Sequence, residues 1–300
     1  MTKLIFAARN AAVAFIIIVF GSYVIVAQSE LTGKWTASNK QRSPDKLYVS
    51  FELKTERGGK NQNGTSYEYS DLQGLTRDAA QNGRASFQIV REAGTIICEG
   101  TFTDGKGSGT FRFVPDRGYV DAMLSRGFDF AKSSSDRDHS PDERLFTAAM
   151  LNVKIATADD LRSSNFPNLD VDDLFKATIF RIDGRFAADM AATGYPELKF
   201  DDLVKARIFK IDAEYVRSIK DSGLGADNFE HLVKYKIFKI TPEFLAELRN
   251  EGLTDLTPEE IVKLRIFKID GAYVRKARSE DPNISIERMV QKKIGVRGGN

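Results

Sequence analysis

The second half of the chain repeats one pattern of apolar and charged positions. The pattern, written LFKATIFRID in its first full copy, occurs four times, at Leu174–Asp183, Leu203–Asp212, Leu232–Thr241 and Ile261–Asp270 (copies 1 to 4). Successive copies begin 29 residues apart, and a degraded copy lies one period earlier at Leu145–Lys154. A fixed period of this length is typical of stacked two-helix units. We therefore expect residues 144–300 to form an α-solenoid of about five 29-residue helical hairpins.

Each hairpin carries start and stop signals for two short helices. In copy 4, Thr257, Pro258 and Glu260 form a capping box with proline at the first helical position. The second helix is predicted to begin at a capping residue, namely Asp183, Asp212, Thr241 or Asp270. It is predicted to end at a glycine that an apolar residue follows, namely Gly194, Gly223 or Gly252. Helices this short are not stable alone in water, so neighbouring hairpins must pack together.

Apolar positions shared by the copies predict the core of this stack. Leu203, Ile208 and Ile211 represent the recurring aliphatic positions of the first helix. The second helix contributes a recurring aromatic position, occupied by Phe186, Tyr215, Phe244 and Tyr273. We expect both sets to be buried. A ligand groove lined by the aromatic residues is the alternative interpretation.

Residues 31–130 alternate between apolar and polar with a period of two. Leu47, Val49 and Phe51 alternate with polar neighbours, and turn signals such as Asn82-Gly83 separate such runs. We expect residues 30–130 to form a small antiparallel β-barrel or sandwich of about six to eight strands. The predicted fold class is therefore α+β with two domains, which a flexible polar linker over residues 131–143 joins.

The start of the predicted β domain resembles the first strand of avidin-like and lipocalin-like barrels, where a Gly-x-Trp motif closes one end. The residues that carry this resemblance are the six at Leu31–Thr36, with Gly33 and Trp35 as the motif. We expect Trp35 to plug the floor of the barrel rather than to contact a ligand. The resemblance also leaves open an alternative function, a lipocalin-like β-barrel that binds a small ligand and uses the helical repeats as a spacer.

The N-terminus has the pattern of an export signal. Lys3 and Arg9 precede an uncharged, mostly apolar run at Ala11–Ala27. Residues 1–27 are therefore either a signal peptide or a retained N-terminal anchor. Both alternatives predict an exported chain in the periplasm or another extracytoplasmic location. Cys98 is the only cysteine, so no internal disulfide is expected, and its apolar surroundings predict a buried thiol.

Composition and motifs argue against several classes of function. The net charge of +2 offers no basic excess for nucleic-acid binding. His139 and His231 are the only histidines, and they lack metal-ligand spacing. Acidic pairs recur at predicted helix starts, at Asp172-Asp173, Asp201-Asp202 and Glu259-Glu260. There they complement the helix dipole, whereas catalysis needs one unique pair. We predict no enzyme activity, no cofactor and no metal site; a hydrolase would need convergent, non-repeated polar groups between the domains.

One recurrent surface feature is a candidate interaction strip of basic residues. Its members are Lys176, Arg181, Lys205, Arg207, Lys210, Lys234, Lys236, Lys239, Lys263, Arg265 and Lys268. In one interpretation the strip is a solvated face paired with acidic residues of neighbouring units. In the other it is a docking strip for anionic lipid headgroups or an acidic partner.

Two segments resemble parts of a known bacterial family. GTIICEGTFTDGKGSGTFRFVPD at Gly94–Asp116 and LTPEEIVKLRIFKIDGAYVRKARSEDP at Leu256–Pro282 are similar to segments that follow the membrane protease part of BlaR/MecR-like antirepressor metalloproteases. The zinc motif and the multiple membrane spans of that family are missing, so the resemblance implies no protease activity. It implies a non-enzymatic extracytoplasmic interaction or sensing module of the bacterial cell envelope. The expected partners are a protein of the envelope and an anionic membrane surface, and not nucleic acid.

Overall fold

The structure is a computed structural model that covers most of the chain after the N-terminal segment. It describes residues 31–39, 45–54, 60–132, 139–164, 166, 168–195 and 198–295. The predicted signal peptide or anchor at residues 1–27 lies outside the described residues. Residues 133–138 of the predicted linker lie outside them as well, so the linker and the domain boundary stay predictions.

Six strands form one antiparallel sheet in the N-terminal part. They are β1 (Leu31–Ser38), β2 (Lys46–Lys54), β3 (Lys60–Glu68), β4 (Gly83–Arg91), β5 (Gly94–Thr103) and β6 (Lys106–Pro115). Their order in the sheet is β3-β2-β1-β6-β5-β4. The prediction of an antiparallel β region followed by helices is confirmed. The closed barrel is wrong, because within the described residues the edge strands β3 and β4 do not pair with each other.

Trp35 lies in the hydrophobic core on the buried face of this sheet. Its side chain is 1% exposed, and its indole Nε1 donates a hydrogen bond to the Glu99 carbonyl oxygen at 3.2 Å. The rings of Phe87 and Phe102 lie 5.2 and 5.6 Å from it, centroid to centroid. Gly109 permits the close approach of β5 and β6 here, because a Cβ at that residue would lie 1.9 Å from the Glu99 carbonyl oxygen. The interior is therefore packed with aromatic side chains.

Twelve short helices are present in the described part of the chain. They are α1 (Arg117–Leu124), α2 (Pro141–Leu151), α3 (Ile155–Ser163), α4 (Val171–Phe180), α5 (Gly184–Ala191), α6 (Phe200–Phe209), α7 (Ala213–Asp221), α8 (Phe229–Ile237), α9 (Pro242–Asn250), α10 (Pro258–Ile266), α11 (Gly271–Glu280) and α12 (Ile286–Lys293). The even-numbered helices contact one another in the order α2-α4-α6-α8-α10-α12. Contacts between α1 and α3, α3 and α5, and α9 and α11 join the odd-numbered helices.

The predicted helix signals are confirmed where the structure describes them. The side chains of Asp183, Asp212, Thr241 and Asp270 each accept a hydrogen bond from the backbone N–H three residues later. The Thr257–Glu260 capping box is present as well. Gly194, Gly223 and Gly252 have φ of 90°, 72° and 81°, the left-handed conformation that terminates a helix.

Ile208 contradicts the predicted core. Leu203 and Ile211 are buried, but the Ile208 side chain is 51% exposed. At 3.6 residues per turn, Ile208 lies about 140° around the α6 axis from Leu203, and therefore on a different face. Ala206 is the α6 residue near this end that is buried instead.

Helix α2 joins the sheet to the helices. The Phe146 ring lies 5.5 Å from Phe51, 5.0 Å from Phe111 and 5.6 Å from Phe113, all on the buried face of the sheet. The Tyr67 hydroxyl donates a hydrogen bond to the Met150 carbonyl oxygen at 3.3 Å. Residues 31–300 accordingly form one compact unit, in which the sheet and the helices share a hydrophobic core. The open sheet is thus covered by a helix rather than closed by a strand.

The junction gives a stability prediction. Phe146→Ala removes a ring that three other phenylalanines contact, so we expect a loss of about 3–5 kcal/mol in the free energy of unfolding. Urea denaturation of residues 28–300 measures this change. Leu124→Ala is the control, since Leu124 is 53% exposed and its loss is expected to change the stability by less than about 0.5 kcal/mol. Equal stability of the two variants would contradict the proposed junction.

Candidate interaction surface

The predicted basic strip does not form one surface. The structure distributes its residues over three columns, and each column runs through successive copies. Two of the columns engage neighbouring copies through specific contacts, and the third is exposed. The columns differ in sequence position by only two or three residues, so the repeat pattern alone does not separate them.

The first column pairs lysines with acidic residues of the next copy. Lys176 Nζ lies 3.0 Å from Asp173 Oδ1 and 2.9 Å from Asp201 Oδ1. Lys205 bridges Asp202 and Glu230 in the same way. The hydrogen bond to Glu230 raises the pKa of Lys205. These lysines are about 40% exposed, so each ion pair contributes at most about 1 kcal/mol. For this column the paired-face interpretation holds.

Copy 3 makes the equivalent contact with a histidine. His231 is 4% exposed, and its Nε2 lies 2.7 Å from Glu259 Oε1. Its Nδ1 accepts a hydrogen bond from the Asp227 backbone N–H at 3.2 Å. The proton of the neutral ring therefore sits on Nε2, which donates to the carboxylate. This hydrogen bond lowers the pKa of Glu259.

The second column stacks cations on the aromatic residues of the preceding copy. Arg207 Cζ lies 3.6 Å from the Phe186 ring centroid, and Lys236 Nζ lies 3.6 Å from that of Tyr215. Arg265 and Lys293 cover Phe244 and Tyr273 in the same way. Distances of this order are typical of cation–π contacts.

Two of the stacking arginines also complete a neighbouring helix end. Arg207 Nη2 donates to the Arg181 carbonyl oxygen at 2.7 Å, and Arg265 Nε donates to the Phe238 carbonyl oxygen at 3.2 Å. Both carbonyl oxygens belong to the residue just after a helix, and they accept no hydrogen bond from within that helix. The cations thus cover the aromatic stripe. Beside the stripe lies a cavity of about 250 Å³, lined by Phe244, Arg265, Lys268, Ile269 and Asp270.

A further cation column was missed by the sequence interpretation. Lys220 Nζ donates to the Thr193 carbonyl oxygen at 2.5 Å. Arg249 donates to the carbonyl oxygens of Ser222 and Gly223 at 3.2 and 3.0 Å. Arg278 donates in the same way to the backbone carbonyl oxygen of Glu251. Their 29-residue spacing was visible in the sequence, and their position beside the terminating glycines indicated this role.

The third column of the predicted strip is exposed and has an unusual backbone. Its members are Arg181, Lys210, Lys239 and Lys268, with φ of 54°, 55°, 52° and 53°. This left-handed conformation favours glycine, which the chain uses at Gly194, Gly223 and Gly252. Within the described residues, none of the four side chains forms an ion pair.

An exposed isoleucine lies two residues before each of these cations. Ile179, Ile208, Ile237 and Ile266 are 55%, 51%, 50% and 46% exposed. Because helices α4, α6, α8 and α10 contact one another in order, the four isoleucines form a row. We call these four isoleucines and the four left-handed cations the Ile–cation ridge. Ile294, which follows α12, is 54% exposed and extends the row.

The structure leaves the predictions of absent catalysis and absent metal untested. Among the described residues there is no cluster of three or more His, Cys, Asp or Glu side chains placed to hold a metal ion. Burial raises the pKa of the Cys98 thiol. None of the helices in the described ranges combines the length and apolar character needed to cross a bilayer.

Comparisons of the chain with protein-family models, curated proteins and solved structures returned no match.

Two neighbouring cations should respond to substitution in opposite ways. Arg207→Ala removes a cation–π contact and a hydrogen bond to a helix end, so we expect a loss of about 1–2 kcal/mol in unfolding free energy. Lys210→Gly relieves a left-handed φ and is expected to increase the stability by about 1 kcal/mol. Urea denaturation measures both changes. The same sign for the two variants would contradict the division into columns.

The His231–Glu259 contact predicts a pH effect that NMR can follow. Because the pKa of Glu259 is lowered in the folded state, its contribution to stability is present at neutral pH and is lost as the pH falls through that pKa. In His231→Leu, which lacks the donor, the pKa of Glu259 should rise in a ¹³C carboxyl titration. Glu243 is the control, since a hydrogen bond from Thr241 lowers its pKa instead. An unchanged Glu259 titration would show that His231 is not the cause.

Proposed function

We propose that the chain is a non-enzymatic interaction or sensing module that works outside the cytoplasm at the bacterial cell envelope. The observation that carries this proposal is the Ile–cation ridge. It repeats an exposed apolar side chain and an exposed cation at the end of four successive first helices. A periodic surface of this kind suits a binding platform, because every copy offers the same chemistry to a partner.

In this proposal the helical part is an α-solenoid of 29-residue hairpins. The ordered contacts from α2 to α12 and the N-caps at equivalent positions support it. So do the cations that reach from one copy to the helix ends of the copy before it, such as Arg207 and Arg249. A solenoid presents a long surface with little chain, which is the property that an interaction module requires.

The absence of enzyme activity is also part of the proposal. The acidic pairs that could resemble a catalytic dyad have structural partners: Asp173 accepts the Asp170 N–H at 3.2 Å in a capping box, and Asp201 pairs with Lys176. Glu259 is engaged by His231. A catalytic pair would need a unique, unsatisfied arrangement rather than one that each copy uses for its helix start.

The envelope location rests on the sequence. Lys3, Arg9 and the apolar run at Ala11–Ala27 support export. The resemblance of Gly94–Asp116 and Leu256–Pro282 to segments of BlaR/MecR-like proteins supports a bacterial sensing or accessory role. The lipocalin-like alternative gains no support from the buried face of the sheet, where Trp35 packs against aromatic neighbours.

Sedimentation with isolated envelope membranes tests this function. Residues 28–300 are the protein to use, since residues 31–300 form a compact unit and the apolar N-terminal segment would bind membranes by itself. We expect this protein to sediment with bacterial envelope membranes that retain their proteins. The ridge variant should lose this binding; it carries serine at Ile179, Ile208, Ile237 and Ile266.

A variant that loses four cations elsewhere, as many as the ridge carries, controls for nonspecific electrostatic attraction. Four exposed cations on the odd-numbered helices are replaced by glutamine: Arg162, Arg185, Arg217 and Lys276. This variant should bind like the parent protein. If the parent protein does not sediment with the envelope membranes, the proposed function is wrong.

A further inference from the structure

We propose that the Ile–cation ridge docks on a bilayer surface that contains anionic lipids. The isoleucines would enter the boundary between headgroups and acyl chains, and the cations would lie against lipid phosphates. This inference rests on the proposed function, because it names the partner of the same surface.

The composition of the ridge fits a membrane interface. Between each exposed isoleucine and its cation lies one half-buried phenylalanine, namely Phe180, Phe209, Phe238 and Phe267. Bulky apolar side chains next to lysine or arginine are what interfacial segments use to combine apolar burial with attraction to anionic headgroups. The ridge thus carries both kinds of contact in every copy.

The carboxylates that follow these cations most closely in sequence have another role. Asp183, Asp212 and Asp270 follow the cations of their copies by two residues. Each accepts the backbone N–H at the start of the next helix, as Asp212 Oδ1 does from Tyr215 at 2.8 Å. Their negative charge is therefore directed onto a helix N-terminus, which carries the positive end of the dipole.

The spacing of the ridge favours a bilayer over a protein segment. Packed helices lie about 8–10 Å apart, so successive isoleucines repeat at roughly that distance. A partner helix presents neighbouring side chains on one face about 5–6 Å apart. A partner strand presents them about 7 Å apart. A partner helix could follow the ridge only with residues two turns apart, about 10.8 Å, and only with the same chemistry at four successive positions, whereas a bilayer has no period to match.

The degraded copy supplies an internal comparison. One period before Ile179 stands Met150, which is 7% exposed at the junction with the sheet. One period before Arg181 stands Asn152, which has φ of 58°. Asparagine tolerates the left-handed conformation better than lysine or arginine does. Where the isoleucine position is buried at the junction with the sheet, the chain therefore carries a methionine, and the exposed residue two positions later is an asparagine suited to the left-handed conformation. The exposed isoleucine and the cation occur together only in copies whose isoleucine position is open to solvent.

Binding to protein-free vesicles tests the inference. Residues 28–300 are mixed with vesicles of phosphatidylcholine alone or of equal parts phosphatidylcholine and phosphatidylglycerol. The salt concentration is about 10 mM, where the screening length is about 30 Å. We expect sedimentation with the anionic vesicles only. Two variants should bind at least about tenfold more weakly: the serine variant of the four isoleucines, and a glutamine variant of Arg181, Lys210, Lys239 and Lys268.

The glutamine variant on the odd-numbered helices should keep its affinity within about twofold. If it loses as much as the ridge variants, the attraction is nonspecific and the inference is wrong. If the parent protein does not bind anionic vesicles at low salt, the inference is also wrong. Binding to envelope membranes together with no binding to vesicles would identify an acidic protein partner. That result would support the proposed function and would show that the inference of lipid binding is wrong.

A fluorescent reporter separates insertion from surface attraction. Ile237→Cys provides a single reactive thiol for an environment-sensitive dye, because the native Cys98 is buried. The dye should shift to shorter wavelength when anionic vesicles are added. The same dye at Arg217→Cys should not shift. Equal responses at both positions would overturn the proposed orientation.

Discussion

The ends of the helices are the constraint on which the helical part depends. An α-helix leaves four N–H groups and four carbonyls without partners at its two ends. Helices such as α4 and α6 have only 10 residues, so these unpartnered groups are a large share of their backbone N–H and C=O groups. Side-chain caps such as Asp212 satisfy the amide end. At the carbonyl end, backbone N–H groups just beyond the helix satisfy some carbonyls, as Ile211 does for Ala206, and at several helices an arginine or lysine of the following copy satisfies another.

This arrangement makes each copy depend on the next. Arg249 completes the end of α7, and Arg207 completes the end of α4 while it covers Phe186. Burial and backbone hydrogen bonding are therefore coupled at these junctions, as expected when stability resides in contacts between neighbouring units. At the start of the row, the sheet takes the place of the missing neighbour, because Phe146 on α2 packs into its buried face.

The sequence predicted what is encoded locally. A capping aspartate or a terminating glycine acts through its own backbone, so Asp183 and Gly194 were identified without knowledge of their surroundings. The sequence predicted less well which face of each helix is buried. Ile208 matched the apolar pattern of its copy, but the turn of α6 directs it to solvent. The openness of the sheet could not be predicted either, because closure depends on whether the edge strands meet, and here α2 covers the buried face instead.

The basic strip illustrates the same limit at the candidate site. Its residues share a charge and a period, and only the contacts of neighbouring copies separate Arg207, which stacks on Phe186, from Lys210, which is exposed.

The position of Lys210 stabilises the folded state less than its backbone conformation destabilises it. A cation at a helix C-terminus contributes about 0.3–1 kcal/mol, whereas the left-handed conformation costs a residue other than glycine about 1–2 kcal/mol. An isoleucine that stays half exposed, as Ile208 does, likewise forgoes much of the stabilisation that burial provides. Four successive copies nevertheless have both the left-handed cation and the half-exposed isoleucine, although glycine adopts the same conformation at the other helix ends. Local preference and global fold normally agree, and their repeated disagreement at these positions is the physical argument behind our proposal that the ridge is a functional surface.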